Sequence, residues 1–262
     1  MSNRSKGSMK LLDLFCGGGG SAEGYRRAGF TDITGVDNEH QKRYPFRFIL
    51  GDALEYLKNH GHEYDFIHAS PPCQKHSVMT KGRWQDRLQD HVNLIPPTRA
   101  LLPFTGKPYV IENVPGAHLE LNCPIMLCGT MFGLQTKHGS QLRRHRLFES
   151  NIFFMFIPSC NHKKGSVIGV YGGGQHPGRR YHRNEKGELI TPHKNIPATI
   201  GVYGHAGGSS NRDQIVSFGT QDRRDAMDIQ WMTGKELSQA IPPAYTHFIG
   251  KQIIQAIKAT HH

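Results

Sequence analysis

The 262-residue chain predicts an α/β fold built on an open sheet, and three observations carry that prediction. Apolar runs of strand length recur, several ending in a glycine or an acid. A four-glycine loop, Gly17-Gly18-Gly19-Gly20, lies between the first run and a helix start. A later run ends in Pro71-Pro72, whose two rings fix φ and present one cysteine, Cys73, on a stiff loop. Open α/β sheets bind ligands outside the carboxyl ends of their strands, so all three features point to one edge of the molecule.

In chain order, Lys10-Leu11-Leu12-Asp13-Leu14-Phe15 reads as a buried strand. After Cys16 and the glycines a helix opens, with Ser21 placed to cap it and Glu23 in its first turn. The glycines let a ligand approach the backbone, although such a loop also marks an ordinary tight turn. Ile33-Thr34-Gly35-Val36-Asp37 puts an acid at the end of a second strand, where nucleotide-binding α/β folds hold ribose hydroxyls. Phe48-Ile49-Leu50-Gly51-Asp52 ends a third strand in another acid, placed either for an adenine amino group or as a helix cap. Asp65-Phe66-Ile67-His68-Ala69 leads into Ser70-Pro71-Pro72-Cys73-Gln74, and Tyr109-Val110-Ile111 leads into Glu112. By itself this segment is better read as carrying a buried structural thiol than a nucleophile.

Taken together, these motifs resemble the DNA cytosine-5 methyltransferases over most of the chain. The resemblance rests on Asp13-Leu14-Phe15-Cys16-Gly17-Gly18-Gly19-Gly20, Pro71-Pro72-Cys73-Gln74, Glu112-Asn113-Val114 and Arg144-His145-Arg146, in that order. It implies a Rossmann-like S-adenosylmethionine-dependent methyltransferase fold with a small target-recognition domain. It also implies a reaction in which Cys73, as thiolate, attacks carbon 6 of a cytosine flipped out of double-stranded DNA, so that carbon 5 takes the donor's group. Glu112 then grips N3 and the exocyclic amine, Arg146 holds the O2 side and Arg144 assists; the alternative for the two arginines is plain phosphate binding. A free thiol is mostly protonated near neutral pH, and Lys75, His76 and the arginines are candidates to favour the thiolate. On the cofactor side the resemblance places Phe15 near the adenine, Gly17 and Gly19 at the methionine moiety, and Asp37 and Asp52 at ribose and adenine. Cys16, Asn38, Ala53, Pro72 and Lys251 complete that set. Ser77 matches the serine that closes the family's nucleophile loop, whereas His76 stands where many members carry an apolar residue.

Composition agrees with a polyanionic partner: 32 Lys and Arg against 21 Asp and Glu give a formal charge of +11. No run of 18 apolar residues and no signal-peptide pattern is present, so a monomeric, cytoplasmic protein that touches no membrane is expected, nucleoid-associated in a prokaryotic or phage setting. The five cysteines are an odd number with no secretion signal and argue against a disulfide framework. Cys123, Cys128, Cys160 and His162 lack a paired Cys-x-x-Cys knuckle, so no metal site is expected from their spacing.

Residues 1–158 read as the catalytic, cofactor-binding domain, 159–224 as a target-recognition region and 225–262 as a return to the catalytic domain. In the middle segment Ile168-Gly169-Val170-Tyr171-Gly172-Gly173 is echoed by Ile200-Gly201-Val202-Tyr203-Gly204-His205, suggesting two hairpin-like strands. Arg179, Arg180, Arg183, Lys186 and Arg212 could meet phosphates there, and Gln175 or His205 base edges. Asp225 to Met232 begins a helical return, and Tyr245 to Ala259 continues it. The family closes with a Gly-Asn pair opening a final helix near the cofactor; here the pair is Gly250-Lys251. A lysine about 4 Å from a sulfonium costs on the order of 4 kcal/mol at an effective dielectric of about 20. In the family a lysine here goes with carboxymethyl transfer, so the resemblance implies carboxy-S-adenosylmethionine as a possible donor and 5-carboxymethylcytosine as its product. The alternatives are ordinary 5-methylcytosine formation, an RNA- or nucleotide-directed enzyme, and an inactive DNA-binding relative.

Overall fold

Near-continuous apolar runs make the central strands, because a parallel sheet is covered on both faces. In the computed structural model, which describes residues 8–72, 93–162, 167–168, 182–183, 189–190 and 219–260, β1 (Lys10–Leu14) is followed by α1 (Gly20–Ala28), β2 (Asp32–Asp37) and β3 (Arg47–Leu50). Next come α2 (Ala53–His60), β4 (Phe66–Ala69), α3 (Ile95–Leu101), β5 (Tyr109–Asn113), β6 (Ile125–Leu127), β7 (Gln141–Leu142) and β8 (Arg146–Ser150). The short β9 (Val167–Ile168), β10 (His182–Arg183) and β11 (Leu189–Ile190) precede α4 (Thr220–Met227), α5 (Gly234–Gln239) and α6 (Pro243–Thr260).

The main sheet has the order β3-β2-β1-β4-β5-β8-β6. Neighbours from β3 to β5 pair in parallel, and β8 runs antiparallel to both β5 and β6. This is the mixed but mainly parallel Rossmann-like arrangement expected. Order reverses beside β1, which lies between β2 and β4, so the crevice for a ligand opens at the carboxyl ends of those strands.

Alternation along β1 divides the core. Leu11 faces one layer with Tyr25, Phe30, Phe66, Tyr245, Ile249 and Ile253, where α1 and α6 pack. Leu12 and Leu14 face the other, with Leu57, Ile67, Ile95, Leu102 and Ile111, under α2 and α3. A third cluster joins Leu142 and Ile168 to Ala226, Met227, Ile229, Met232 and Leu237.

Three local expectations change. Ser21 does not cap α1: the cap position is Gly19 in the left-handed region (φ 82), and the Ser21 hydroxyl donates instead to Asp13 at 3.1 Å. Glycine is needed there because an L side chain in that conformation is strained, and its Cβ would lie 2.8 Å from Pro45. The helical return begins before Asp225 and stops at Met227, where Asp228 turns left-handed (φ 56). Gly250-Lys251 lies in mid-helix, not at a helix start, because Pro243 already supplies the first turn of α6.

Candidate active site

The sequence motifs converge on the carboxyl edge of the parallel strands. Phe15 follows the last residue of β1 at φ 55, an unusual backbone for a bulky residue, and packs half-buried against the layer containing Val36. Gly17 follows, also left-handed (φ 48), and open space surrounds the place where a Cβ would stand. Its backbone N–H donates to Asp37 Oδ2 at 3.0 Å, while Oδ1 accepts from Glu39 N at 3.0 Å. The carboxylate at the end of β2 is thereby turned toward the glycine loop. Asn38 beside it is exposed, and Ala53 is buried at the start of α2. Asp52 caps α2, accepting from Glu55 N at 2.8 Å, so its capping reading holds in the structure. Gly19 faces Tyr44 and Pro45, not open space.

Cys16 and Asp13 lie beneath this surface. Burial first, then the neighbouring Asp13 and Asp37, push the Cys16 thiol far up, which keeps it protonated. Burial also raises the Asp13 carboxyl to about 8 against the lowering effect of hydrogen bonds from Ser21 and Tyr44. Asp13 thus ties the strand, the helix start and the Tyr44 segment together, with Tyr44 donating at 3.2 Å. Its role was hidden in sequence because only its neighbours in space, not in chain order, reveal it.

On the other side of β1, the β4 and β5 ends are joined. Asn113 Nδ2 donates to Pro71 O at 3.1 Å, fixing the base of the double-proline turn. Pro71 is buried and Pro72 exposed; Cys73, Gln74, Lys75, His76 and Ser77 lie outside the described residues. Glu112 is buried on β5, and Arg146 Nε lies 3.0 Å from its Oε1. That contact is a charge pair without hydrogen-bond alignment, so Oε1 keeps an unsatisfied acceptor. Burial raises the Glu112 pKa, opposed by Arg146, Arg144 and a hydrogen bond from Ser70. Ser70 Oγ is also paired with His68 Nε2 at 3.0 Å, and His68 Nδ1 with the Tyr25 hydroxyl at 2.9 Å. Burial brings the His68 pKa down to about 3, so the ring stays neutral and this chain of polar groups carries no cation.

Arg144 is fully buried, and its Nη2 donates to Ser238 O at 2.8 Å. Its backbone carbonyl accepts from the Tyr245 hydroxyl. Arg144 is therefore locked to the α5 end and to α6. Trp231 and Met232 were not foreseen at the site. The indole N–H donates to Gly18 O at 2.9 Å, and the Met232 side chain stands 2.8 Å from where a Gly18 Cβ would be. No motif spacing flags them, since they reach the loop from more than two hundred residues away.

Lys251 stands apart from this group. Gly20 meets Ile241 O, Gly24 meets Thr246 and Gly250 meets Ala28, so α1 and α6 run side by side in parallel. Ala28 lies eight residues beyond Gly20, which at a rise of 1.5 Å per residue is about 12 Å along the helix from the glycine loop. The exposed Lys251 therefore sits at the far end of α1. That corrects its expected place beside the donor: the Gly-Lys pair aligns with the C-terminal end of α1, whereas Ser238, Ala240 and Ile241 stand nearer the loop and Arg144.

Residues 9–121 match the family model for C-5 cytosine-specific DNA methylase. That match, over somewhat less than half of the chain, supports the C5-methyltransferase family for this segment. The type II methyltransferase M.AgeI of Thalassovita gelatinovora is 31% identical over 123 residues, covering 41% of this chain and 28% of that protein. M.XorII of Xanthomonas oryzae pv. oryzae is 28% identical over 120 residues, covering 40% and 28%. The chain thus matches less than a third of the length of these curated relatives. Among solved structures, a prophage-encoded E. coli protein described as a DNA modification methyltransferase aligns with TM-score 0.54 at 14% identity, covering 96% of this chain and all of that one. A triple-substitution variant of Spodoptera frugiperda DNMT2 aligns with TM-score 0.57 at 14% identity, covering 94% of this chain and all of that one. At such identities the two structures establish the Rossmann-like methyltransferase fold.

A second group of side chains lies beyond β6. Spacing alone gave no reason to expect a metal here, yet the fold brings ligand atoms of Cys128, His145, Cys160 and His162 within 4.8 Å of one another. Burial pushes the Cys128 thiol up, but hydrogen bonds from His145, Thr130 and His162 outweigh it and bring the pKa down to about 6. Cys123, weighed with them in sequence, is exposed and outside the group.

Proposed function

We propose that the chain modifies carbon 5 of cytosine in double-stranded DNA, with S-adenosylmethionine as methyl donor. The observation that carries this reading is the buried Glu112 carboxyl, paired with Arg146 and still short of one hydrogen bond, one strand away from the turn that leads to Cys73. A cytosine edge offers the missing donor through its exocyclic amine. The raised pKa of Glu112 suits it to share a proton with N3 as charge builds on the ring. Arg146 balances the carboxylate, and Arg144, tied to Ser238 and Tyr245, anchors the chain that enters β8. Cys73 is the nucleophile in this reading: its sulfur bonds to carbon 6, carbon 5 becomes nucleophilic and takes the donor's methyl group with S-adenosylhomocysteine as leaving group, and loss of the carbon 5 proton with departure of the sulfur restores the ring.

The residues present fit the cofactor. Gly17 leaves room for it, Asp37 presents a fixed carboxylate for ribose hydroxyls, and Phe15 offers a half-buried ring for the adenine. When bound, S-adenosylmethionine supplies an electrophilic methyl group on a sulfonium. The chain's part is to bind and orient it, with Trp231 and Met232 bracing the loop beneath.

A carboxymethyl donor selected by Lys251 has less support, since about 12 Å of helix separates that end of α1 from the glycine loop. The expected product is 5-methylcytosine. Both donors should be supplied in competition with duplex DNA, and the nucleosides weighed. Methyl product alone from wild type, abolished in Cys73→Ala with cofactor binding retained, is the expected result. Group transfer that survives Cys73→Ala would overturn the mechanism; carboxymethyl product that disappears in Lys251→Asn would overturn the donor assignment. RNA and dCMP as competing substrates test the DNA preference.

A further inference from the structure

We infer that Cys128, His145, Cys160 and His162 form a structural zinc site that pins three separate stretches of chain together. Cys128 directly follows β6, His145 lies in the link between β7 and β8, and Cys160 and His162 lie on the segment after β8. Cys128 Sγ is 3.4 Å from His162 Nε2, and Cys160 Sγ is 3.6 Å from His145 Nε2. The two imidazole rings stand 5.2 Å apart at 76°. Around a tetrahedral zinc with bonds of about 2.3 Å to sulfur and 2.0 Å to nitrogen, adjacent sulfur and nitrogen ligands lie about 3.5 Å apart. Both observed thiol–imidazole distances agree with that edge, so the ion needs little rearrangement to enter.

The ligand set selects the metal. Two thiolates and two neutral imidazoles in a closed four-fold arrangement suit zinc, whereas magnesium or calcium would require oxygen ligands. Four protein ligands leave no open position, which makes the site structural and separate from the reaction proposed above. Outer contacts are in place: Thr130 Oγ1 donates to Cys128 Sγ at 3.4 Å and accepts from Asn161 N at 3.3 Å. Ordinary thiol–imidazole hydrogen bonding explains one such pair, but not the convergence of two pairs from three stretches of chain.

The consequence falls on the active site. His145 separates Arg144 from Arg146, so a metal bond there fixes the link into β8, with Arg144 just before the strand and Arg146 its first residue. Cys160 and His162 would in turn anchor the chain immediately before the basic segment that follows.

Purified full-length protein, prepared without chelator or affinity metal, should carry about one zinc per chain by elemental mass spectrometry, as a closed four-ligand site requires. Exchange with cobalt(II) should give intense visible bands of a tetrahedral ion and a thiolate-to-cobalt charge-transfer band. Cys160→Ser and His162→Ala should lose most of the zinc, whereas Cys123→Ser should retain it. Substoichiometric zinc in the wild type, together with failure of the chelator-treated protein to take up zinc or cobalt, would overturn the site. So would an intact mass lower by two hydrogens under non-reducing conditions, with the missing pair mapped to a Cys128–Cys160 disulfide. These wild-type measurements decide the matter even where a variant fails to fold.

Discussion

Asp13 shows how much a single buried group can govern. Its carboxyl is raised to about 8, chiefly by burial, whereas an aspartate in an unfolded chain titrates near about 3.9. Between those values the unfolded state ionises first while the folded state keeps its proton, so this group's contribution is full below about pH 4 and lost as pH rises through about 8. Asparagine keeps an acceptor for Ser21 and Tyr44 but does not titrate. Asp13→Asn should therefore gain on wild type from about pH 5 toward pH 8, by on the order of a few kcal/mol. Chemical denaturation of both proteins across that range checks it; a difference independent of pH would show that Asp13 is ionised throughout. Asn113 acts differently, through Pro71 O at the base of the turn that carries Cys73. Asn113→Ala should reduce kcat about 10- to 100-fold through misplacement of the loop. Cofactor KM should stay unchanged because the glycine loop lies across β1. A kcat intact to within twofold would mean the double proline alone holds the turn. The identity of such residues was legible in sequence wherever a motif carries them, as with Glu112 and Asp37. Partnerships made across the fold, Asp13 with Tyr44 or Arg144 with Ser238, leave no periodic trace.

Among the elements, the parallel strands were the most readable part, because an apolar run ending in a glycine or acid has few other uses. Antiparallel β8 was not, since Arg146-Leu147-Phe148-Glu149-Ser150 buries a charged residue: Glu149 is 3% exposed and pairs with Arg99 at 2.6 Å. The start of α1 misled for a related reason, as Ser21 had a stronger use inside the core than at the helix cap. What holds α1 against α6 is the lack of a side chain at Gly24. A Cβ there would stand 2.0 Å from Thr246 Oγ1 and 2.2 Å from Pro243 O, the latter immovable backbone. Gly24→Ala should destabilise by about 1–3 kcal/mol from overpacking, outweighing alanine's better helix propensity. Urea midpoints measure this directly. A neutral or stabilising result would show that the two helices can separate without cost, and with them the placement of Arg144 through Tyr245.

For the whole molecule, charge is the property that sequence states most fully and structure least. The chain carries +11, and residues 163–218 alone hold eight Lys and Arg against three Asp and Glu, nearly half of the excess in about a fifth of the length. Which bases such a segment reads depends on side-chain geometry that composition does not encode, so the recognition reading of that region remains a proposal, with Gln175, His205 and the basic residues outside the described side chains. Its electrostatic consequence is nonetheless testable. A protein that neutralises about six phosphates should lose on the order of 10³-fold in duplex affinity between about 50 and 200 mM salt, through counterion release. Each arginine that meets a phosphate contributes about one unit to the slope of log K against log salt, so Arg179→Ala with Arg180→Ala should lower the slope by about two. S-adenosylmethionine affinity, measured in the same solutions, should hardly move, because the cofactor site proposed at Gly17, Asp37 and Phe15 would hold a small ligand through local contacts. A parallel fall in both affinities would indicate loss of the fold, whereas a slope unchanged by the double substitution would shift the phosphate contacts to the basic residues of the 9–121 segment.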